Sequence, residues 1–306
     1  MSYDVGMQVK DEFFLVKSAK EFSWGVIGTL TNNAEGDISF KFGNEKIAGR
    51  VEVGTVICVD GVVAEYNGAP QVTGYADSVN LTEDILRKVV PVAPIDIDAE
   101  FAFLVDTVAS VSDAELRNIT SALLEEYAEK LSRMPAGKAM HHAYIGGWVE
   151  HTAGILRSAL ALCDVYSGKL NKDLLVCGAV LHDVGKALEF NLTDLGLVKE
   201  YSFLGDGVGH ASLGVGLITA KAVESGYDLT SPSIAALLNI VGTHAGRREW
   251  GACADPVTRE AIVISSLDYV DAHLNTASSA LKDTACGERG SSNPMRCAFY
   301  QTLPNP

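Results

Sequence analysis

The chain has 306 residues, which is enough for one or two domains with well-filled cores. Its formal net charge of −15 argues against broad electrostatic binding of nucleic acid, but it does not exclude a local basic groove. The six cysteines show no C-x-x-C spacing, so we expect reduced thiols. We find neither a signal-peptide pattern nor an apolar run long enough for a bilayer, and therefore expect a cytoplasmic protein with no membrane partner.

Residues 11–80 combine short apolar stretches with turn sequences, as is typical of an all-β module. The predicted strands cover residues 13–16, 25–30, 38–42, 55–59, 62–66 and 71–75, with turns at 31–37, 60–61 and 67–68. Short strands at this spacing predict a small barrel, and their order resembles an OB-fold. Phe40, Phe42 and Tyr66 would then either stack on bases or form the core of the barrel.

The sequence Pro91-Val92-Ala93-Pro94 separates this module from a second part with helical periodicity. Predicted helices cover residues 98–134 (one or two helices), 146–166, 172–184, 210–225, 231–244 and 255–275, and residues 189–209 are predicted as a polar loop. We therefore expect a β-barrel domain at 1–90, a helical domain at 91–275 and a loosely ordered tail at 276–306.

All seven histidines lie between residues 141 and 273, beyond the predicted barrel, so we expect the chemistry there. The potential metal ligands each lie within or at the end of a predicted helix, and they are His151, His182, Asp183, His210, His244 and Asp268. Any one of them alone is more often a satisfied buried histidine or a solvated carboxylate. Together they favour a metal centre inside a helical bundle, because imidazole and carboxylate ligands suit divalent ions such as Mn, Mg, Fe, Ni or Zn.

These residues resemble the H…HD…D signature of the HD phosphohydrolase superfamily, in the order His151, His182-Asp183 and Asp268. The stretch at 135–152, the sequence Leu181-His182-Asp183-Val184-Gly185-Lys186 and the stretches at 209–214, 255–261 and 267–272 are more specifically similar to the YhaM-type 3′–5′ exoribonuclease family. The resemblance covers most of residues 10–275. It implies an OB-like barrel followed by an all-α HD bundle, a bound divalent metal and a single-stranded nucleic acid or nucleotide substrate.

The resemblance also implies roles for particular residues. The first metal is expected on His151, His182, Asp183 and Asp268, and the second on Asp183, His210 and His244. Asp183 and Lys186 are the candidate catalytic residues. Candidate contacts to the substrate phosphate are Lys186, His142, Arg247 and Arg248, although a lysine at a helix end or an exposed arginine more often has no such role.

One position departs from the family pattern, which has His-His-Gly where this chain has His244-Ala245-Gly246. A methyl group replaces an imidazole that could serve the second metal, so we expect that site to be weaker. The best interpretation is a metal-dependent phosphodiesterase, a 3′–5′ exonuclease on single-stranded RNA or DNA. The alternatives are an HD phosphohydrolase of a small or cyclic nucleotide and a non-catalytic regulatory protein. Assembly into a homo-oligomer is left open.

Overall fold

The protein was analysed as a computed structural model, which describes residues 3–32, 36–138, 140–282, 284–291, 293 and 295–304. Contacts along the backbone divide the chain into two compact units. The first contains the chain up to Val92 together with Thr193–Lys199, and the second contains Ala93–Leu192 and the chain from Glu200 onward. The middle of the predicted turn at 31–37, residues 33–35, lies outside the described residues.

The first unit is a closed barrel of five strands. The strands are β1 (Gln8–Phe22), β2 (Gly25–Asn32), β3 (Gly36–Gly43), β4 (Val56–Tyr66) and β5 (Ala69–Ser78), and a short helix α1 (Glu83–Val89) follows them. Their order around the barrel is β1-β2-β3-β5-β4, and only the β3–β5 pair is parallel. Because β1 also pairs with β4, the sheet closes on itself and leaves no free edge. The predicted OB-like barrel is confirmed.

Strand β4 corrects the sequence prediction, because one continuous strand replaces the two strands predicted on either side of Asp60-Gly61. Gly61 pairs with Gly74 across the β4–β5 ladder. A Cβ atom on Gly61 would lie 2.1 Å from the carbonyl oxygen of Thr73, so only glycine allows the two backbones to approach this closely. The glycine that suggested a turn instead permits tight strand pairing.

Aromatic and β-branched side chains fill the barrel. Phe14, Phe40 and Phe42 are fully buried, and the rings of Phe40 and Phe42 lie 4.8 Å apart between centroids. Of the three candidate base-stacking residues, these two therefore belong to the core. The third, Tyr66, is 57% exposed.

The second unit is mainly helical in the part of the chain that the structure describes. A short β-hairpin begins and ends in it, while the intervening residues Thr193–Lys199 belong to the first unit. Its helices are α2 (Ile97–Ala109), α3 (Ala114–Glu126), α4 (Ala128–Arg133), α5 (Gly147–Val165), α6 (Lys172–Leu181), α7 (Lys186–Glu189), α8 (Phe203–Val208), α9 (His210–Glu224), α10 (Pro232–Thr243) and α11 (Arg259–Leu281). Strands β6 (Phe190–Leu192) and β7 (Val198–Tyr201) form the hairpin. The fold class predicted for this part of the chain, a helical bundle, is confirmed.

Several segments differ from their sequence predictions. The stretch 98–134, predicted as one or two helices, contains the three helices α2, α3 and α4. Residues 189–209 contain β6, β7 and α8 rather than a plain loop. Helix α11 begins after Thr258, whose hydroxyl accepts a hydrogen bond from the Ala261 amide, and not at Asp255. It also continues to Leu281, past the predicted end at residue 275. In the predicted tail that follows, the amide of Gly290 donates a hydrogen bond to the carbonyl oxygen of Phe299. Residues 283, 292, 294, 305 and 306 of this tail lie outside the described part of the chain.

Small residues allow the central helices to pack closely. A Cβ atom on Gly178 of α6 would lie 2.8 Å from the Cγ2 atom of Ile240 in α10. Fully buried apolar side chains, including Trp148, Leu175, Ile240 and Ile264, form the core of the bundle. Among the described residues, no helix is long and apolar enough to cross a membrane.

Candidate metal centre

Five helices of the second unit supply the six predicted ligands. His151 lies on α5, His182 and Asp183 follow α6, His210 begins α9, His244 follows α10, and Asp268 lies on α11. The turn after α6 can approach α9 because residue 185 is glycine. A Cβ atom on Gly185 would lie 2.0 Å from the carbonyl oxygen of His210. Any larger residue at this position would push His210 away from the His182-Asp183 pair.

Two of the histidines are oriented by their own helix ends. Nδ1 of His182 lies 2.7 Å from the carbonyl oxygen of Ala179, and Nδ1 of His244 lies 2.7 Å from that of Val241. A carbonyl oxygen only accepts, so Nδ1 carries the proton in both rings. Each bond also satisfies a carbonyl that would otherwise lack a partner near the end of its helix. Nε2 is therefore the nitrogen left to bind a ligand in both residues.

Two other histidines are oriented by carboxylates. Nδ1 of His151 donates to Oδ2 of Asp271 at 2.7 Å, and Nδ1 of His210 donates to Oε1 of Glu189 at 2.9 Å. A carboxylate in this position fixes the ring and makes its other nitrogen a stronger ligand, as is usual around metal-binding histidines. Nε2 is again the nitrogen that faces the site, and in His151 it lies 3.2 Å from Oδ1 of Asp268.

The four Nε2 atoms face one another in two pairs. Nε2 of His151 lies 3.2 Å from Nε2 of His182, and Nε2 of His210 lies 3.1 Å from Nε2 of His244. With Nδ1 protonated in every ring, facing Nε2 lone pairs repel unless a proton or a cation lies between them. Two nitrogens bound to one ion at about 2.0–2.1 Å lie roughly 3 Å apart. The spacing of both pairs therefore fits metal coordination.

Asp183 lies between the two pairs and contributes to both groups of candidate ligands. Its Oδ2 atom lies 3.4 Å from Nε2 of His182, while its Oδ1 atom lies 3.5 Å and 3.4 Å from Nε2 of His210 and His244. Oδ1 is buried and makes no hydrogen bond within the described chain. A buried hydrogen-bond acceptor without a partner costs free energy unless a ligand satisfies it. The imidazole nitrogens and carboxylate oxygens therefore suit one divalent ion on each side of Asp183.

The site is charged as well as buried. Burial alone would raise the pKa of Asp183, but Lys186, whose Nζ lies 2.5 Å away, and the imidazole of His182 hold that pKa well below its usual range. Burial would likewise raise the pKa of Asp268. The imidazole of His151, 3.2 Å away, instead holds that pKa far below its usual range. Both carboxylates are therefore ionised near neutral pH and available as ligands.

A cavity of about 550 Å³ opens onto the candidate metal centre. Five predicted site residues line it, and they are Asp183, Lys186, His210, His244 and Asp268. His151 and His182 have no exposed surface and lie behind this wall. The structure thus brings all six predicted metal ligands and Lys186 together at one cavity.

His142 does not line the cavity. The residue is buried, and its Nε2 atom lies 2.8 Å from Oδ2 of Asp271, the carboxylate that orients His151. Its backbone takes the left-handed conformation, with φ of 46°, and Asn275 holds its amide at 3.0 Å. The geometry supports a role for His142 in holding Asp271 rather than in contacting phosphate.

Arg247 and Arg248 do not themselves line the cavity, although Arg247 lies against Trp250, which does. Their side chains are 63% and 67% exposed. The Arg247 guanidinium lies 4.9 Å from the ring centroid of Trp250 and 3.4 Å from Glu249, and Arg248 lies 4.0 Å from Asp255. Their contact with the substrate stays a prediction.

The sequence interpretation missed His141, which lines the cavity. Its ring nitrogens are buried and make no hydrogen bonds in the described part of the chain. Burial and the nearby charge of Lys186 lower the pKa of His141 to about 3, so the ring is neutral near pH 7. A neutral imidazole offers one N–H group and one lone pair to a ligand. The only sequence signal was its place beside His142.

A family model described as the HD domain matches residues 148–273. Residues 148–273 are thus similar to the HD domain. The matched region contains all six candidate ligands. A second family model, described as a candidate helicase, matches residues 101–173 and contains only His151 of the six.

Curated relatives match almost the whole chain. A 3′–5′ exoribonuclease YhaM from Listeria innocua is 29% identical over 308 residues, which cover 94% of this chain and 92% of the relative. Proteins with the same name from Bacillus pumilus and Bacillus subtilis are 29% and 28% identical, with the same coverage. The resemblance thus extends through both units of the chain. It confirms the resemblance to the YhaM-type family that the sequence predicted.

Proposed function

We propose that this protein is a metal-dependent phosphodiesterase that removes nucleotides from the 3′ end of single-stranded nucleic acid. The observation that carries the proposal is the pair of facing Nε2 contacts, at 3.2 Å and 3.1 Å, on either side of Asp183 at the cavity. The direction of degradation and the polymeric substrate come from the name of the relatives that match 94% of the chain.

The proposed ligands fall into two groups. The first comprises His151, His182, Asp183 and Asp268, and the second comprises Asp183, His210 and His244. Divalent ions bound there would lower the pKa of water and stabilise charge on phosphoryl oxygens. Asp271 and Glu189 hold the rings of His151 and His210 so that their Nε2 atoms point at the site.

Two further residues of the cavity can contact a phosphate ester. Lys186 carries a full positive charge, because the attraction of Asp183 raises its pKa despite burial. As a compact cation it can bind a phosphoryl oxygen. His141, which is neutral, can donate one hydrogen bond from its N–H group to an ester oxygen.

The barrel has an exposed surface suited to single strands. Lys20 and Lys41 both pair with Ile27 in the sheet, so their side chains lie on one outer face. Phe22 and Trp24 stack there at 5.4 Å, and the ammonium groups of Lys20 and Lys41 lie 5.4 Å and 4.7 Å from their ring centroids. Exposed aromatic rings beside lysines bind bases by stacking and the backbone by charge. We propose that this set, the barrel patch, binds single-stranded RNA.

The test is degradation of a 5′-labelled single-stranded RNA by protein first stripped of metal and then supplied with Mn²⁺ or Mg²⁺. We expect a ladder that shortens from the 3′ end and that requires added metal. Asp183→Asn should lower the rate more than about 100-fold, since removal of a direct ligand should cost at least as much as loss of a residue that orients one. The control Asp255→Asn changes a carboxylate whose side chain is 76% exposed, and it should leave the rate unchanged.

Other outcomes would favour the alternatives. Hydrolysis confined to mononucleotides or cyclic dinucleotides would indicate a small-nucleotide phosphohydrolase. Tight metal binding without turnover of any of these substrates would indicate a regulatory protein. Assembly into a homo-oligomer and a cytoplasmic location stay predictions from the sequence.

A further inference from the structure

Three aromatic rings line the cavity beside the metal ligands, and they belong to Trp250, Tyr269 and His273. The rings of Trp250 and Tyr269 are nearly parallel, with 20° between their planes and 5.9 Å between their centroids. The ring of His273 stacks on Tyr269 at 3.7 Å. The three rings form a continuous flat stack, called here the aromatic platform.

The local structure holds each ring in place. Tyr269 directly follows the ligand Asp268 on α11, and His273 lies one turn later on the same helix. Nδ1 of His273 donates to the carbonyl oxygen of Tyr269 at 2.8 Å, which keeps its ring over the tyrosine. Trp250 ends a short 3-10 helix that Gly251 closes with φ of 104°, a conformation that favours glycine.

Packing in the interior does not account for the aromatic platform. Trp250 is 52% exposed and Tyr269 is 48% exposed, although large aromatic side chains usually bury most of their surface. The cavity therefore combines two unlike surfaces. One is charged and carries Asp183, Lys186 and Asp268, while the other consists of the flat rings of the platform, with the Arg247 guanidinium 4.9 Å from the Trp250 centroid. A nucleotide has the same two parts, a charged phosphate and a flat base.

We propose that the aromatic platform binds the terminal nucleobase of the substrate by stacking, while the adjoining phosphate lies at the metal ligands. This inference rests on the proposed function and adds a base-binding subsite to it. Stacking on a flat ring does not distinguish among the four bases, because every base has a π face. The subsite would therefore accept any terminal base but would lose contact with a nucleotide that has none.

The test measures binding without cleavage. The probe is a 5′-fluorescent single strand whose last linkage has a methylene group in place of the bridging oxygen, and the matched probe lacks only the 3′-terminal base. Fluorescence anisotropy with Mn²⁺ gives both affinities. The wild-type protein should bind the complete strand about tenfold more tightly than the abasic one, which corresponds to about 1.4 kcal/mol of stacking free energy.

Variants assign that preference to the platform. Trp250→Ala should reduce the preference for the terminal base to about twofold or less, and Trp250→Phe should retain most of it because the ring is kept. The control Tyr166→Ala removes an aromatic side chain that is 49% exposed and does not line the cavity, and it should keep the full preference. Thermal unfolding of each variant confirms that it is folded.

The inference would be overturned if the wild-type protein bound both strands equally, or if Trp250→Ala kept the full preference for the base. The result is independent of turnover. Stepwise degradation of RNA without any preference for a terminal base would leave the proposed function standing and remove the platform. A preference for the terminal base without any hydrolysis would support the platform and contradict the proposed function.

Discussion

Oδ2 of Asp271 lies 2.7 Å from Nδ1 of His151 and 2.8 Å from Nε2 of His142. One carboxylate oxygen thus connects a candidate ligand to a second, buried histidine. Burial would raise the pKa of Asp271, but hydrogen bonds from the two imidazoles hold it far below its usual range. The carboxylate stays ionised and keeps one proton of His151 on Nδ1, so that Nε2 is the nitrogen that an ion would bind.

The first prediction concerns the two carboxylates that orient histidines. Asp271→Asn should lower affinity for the ion on the His151 side about 10–100-fold, because an amide fixes the ring less firmly and makes it a weaker ligand. Glu189→Gln should have the same effect on the His210 side. Metal titration of each variant, with the number of ions and both affinities fitted, measures the changes.

The two variants are controls for each other, because each should spare the opposite ion. Equal weakening of both ions by Asp271→Asn would contradict the division of ligands into two groups. Such a result would mean that the six residues form one coupled site.

The second prediction concerns pH. Burial opposes protonation of His151, but hydrogen bonds from the ring to Asp268 and Asp271 raise the pKa of His151 from 6.5 to about 9. Without an ion the ring therefore carries a proton at neutral pH. This proton stabilises the ion-free protein fully below pH 6.5, and that contribution is lost as the pH rises through about 9.

An ion and this proton compete for the same nitrogen. Metal affinity should therefore rise about tenfold per pH unit between pH 7 and 9 and then level off, because one proton is released for each ion bound. Calorimetric titrations in two buffers with different ionisation enthalpies count that proton directly. An affinity that does not change over this range would show that His151 is neutral before the ion binds.

The third prediction concerns Ala245, which lines the cavity next to His244. The second group has three candidate ligands, Asp183, His210 and His244, within 4.8 Å of one another, whereas the first also has Asp268 as a fourth. The unmodified protein should therefore fill the first group at lower metal concentration. Ala245→His should tighten the second ion and raise activity at low Mn²⁺, because it adds an imidazole.

Ala245→Val is the matched control, since it adds bulk without a ligand and should not tighten the second ion. If the unmodified protein bound two ions equally tightly, the missing imidazole at Ala245 would not weaken the second site.

The fourth prediction concerns the barrel patch. Trp24→Ala should weaken binding of a long single-stranded RNA about 5–100-fold, since stacking of one base contributes about 1–3 kcal/mol. Tyr66→Ala removes a side chain that is 57% exposed and has no cation near its ring in the described chain, so its effect should be small. Anisotropy at several salt concentrations separates stacking from charge. A larger loss with Tyr66→Ala would move the binding surface to the far end of β4.

The grouping of the six candidate ligands could be predicted from sequence because each stands at a helix end or on a helix face, where periodicity fixes its direction. The barrel patch could not. Strand β1 contains a register shift between Val16 and Ser18, and such a bulge reverses which side chains face outward. The inward–outward alternation of side chains that starts at residue 13 therefore places Phe22 on the wrong face of the strand.

The orientation of His142 was also beyond the sequence. Its direction depends on a backbone φ of 46° and on the contact of its amide with Asn275, which is 133 residues away. Neither feature leaves a periodic signal. Two adjacent histidines in a loop therefore looked equivalent, although His141 faces the cavity and His142 faces Asp271.

The four imidazoles also differ in how they can be lost during evolution. His182 and His244 are oriented by the main-chain carbonyls of Ala179 and Val241, and no substitution of those side chains removes the acceptor. His151 and His210 depend on side chains, and a single codon change at residue 271 or 189 would release their rings. Substitutions should therefore disable each group of candidate ligands through Asp271 or Glu189 first. The imidazoles of His182 and His244, which main-chain carbonyls orient, should be disturbed later.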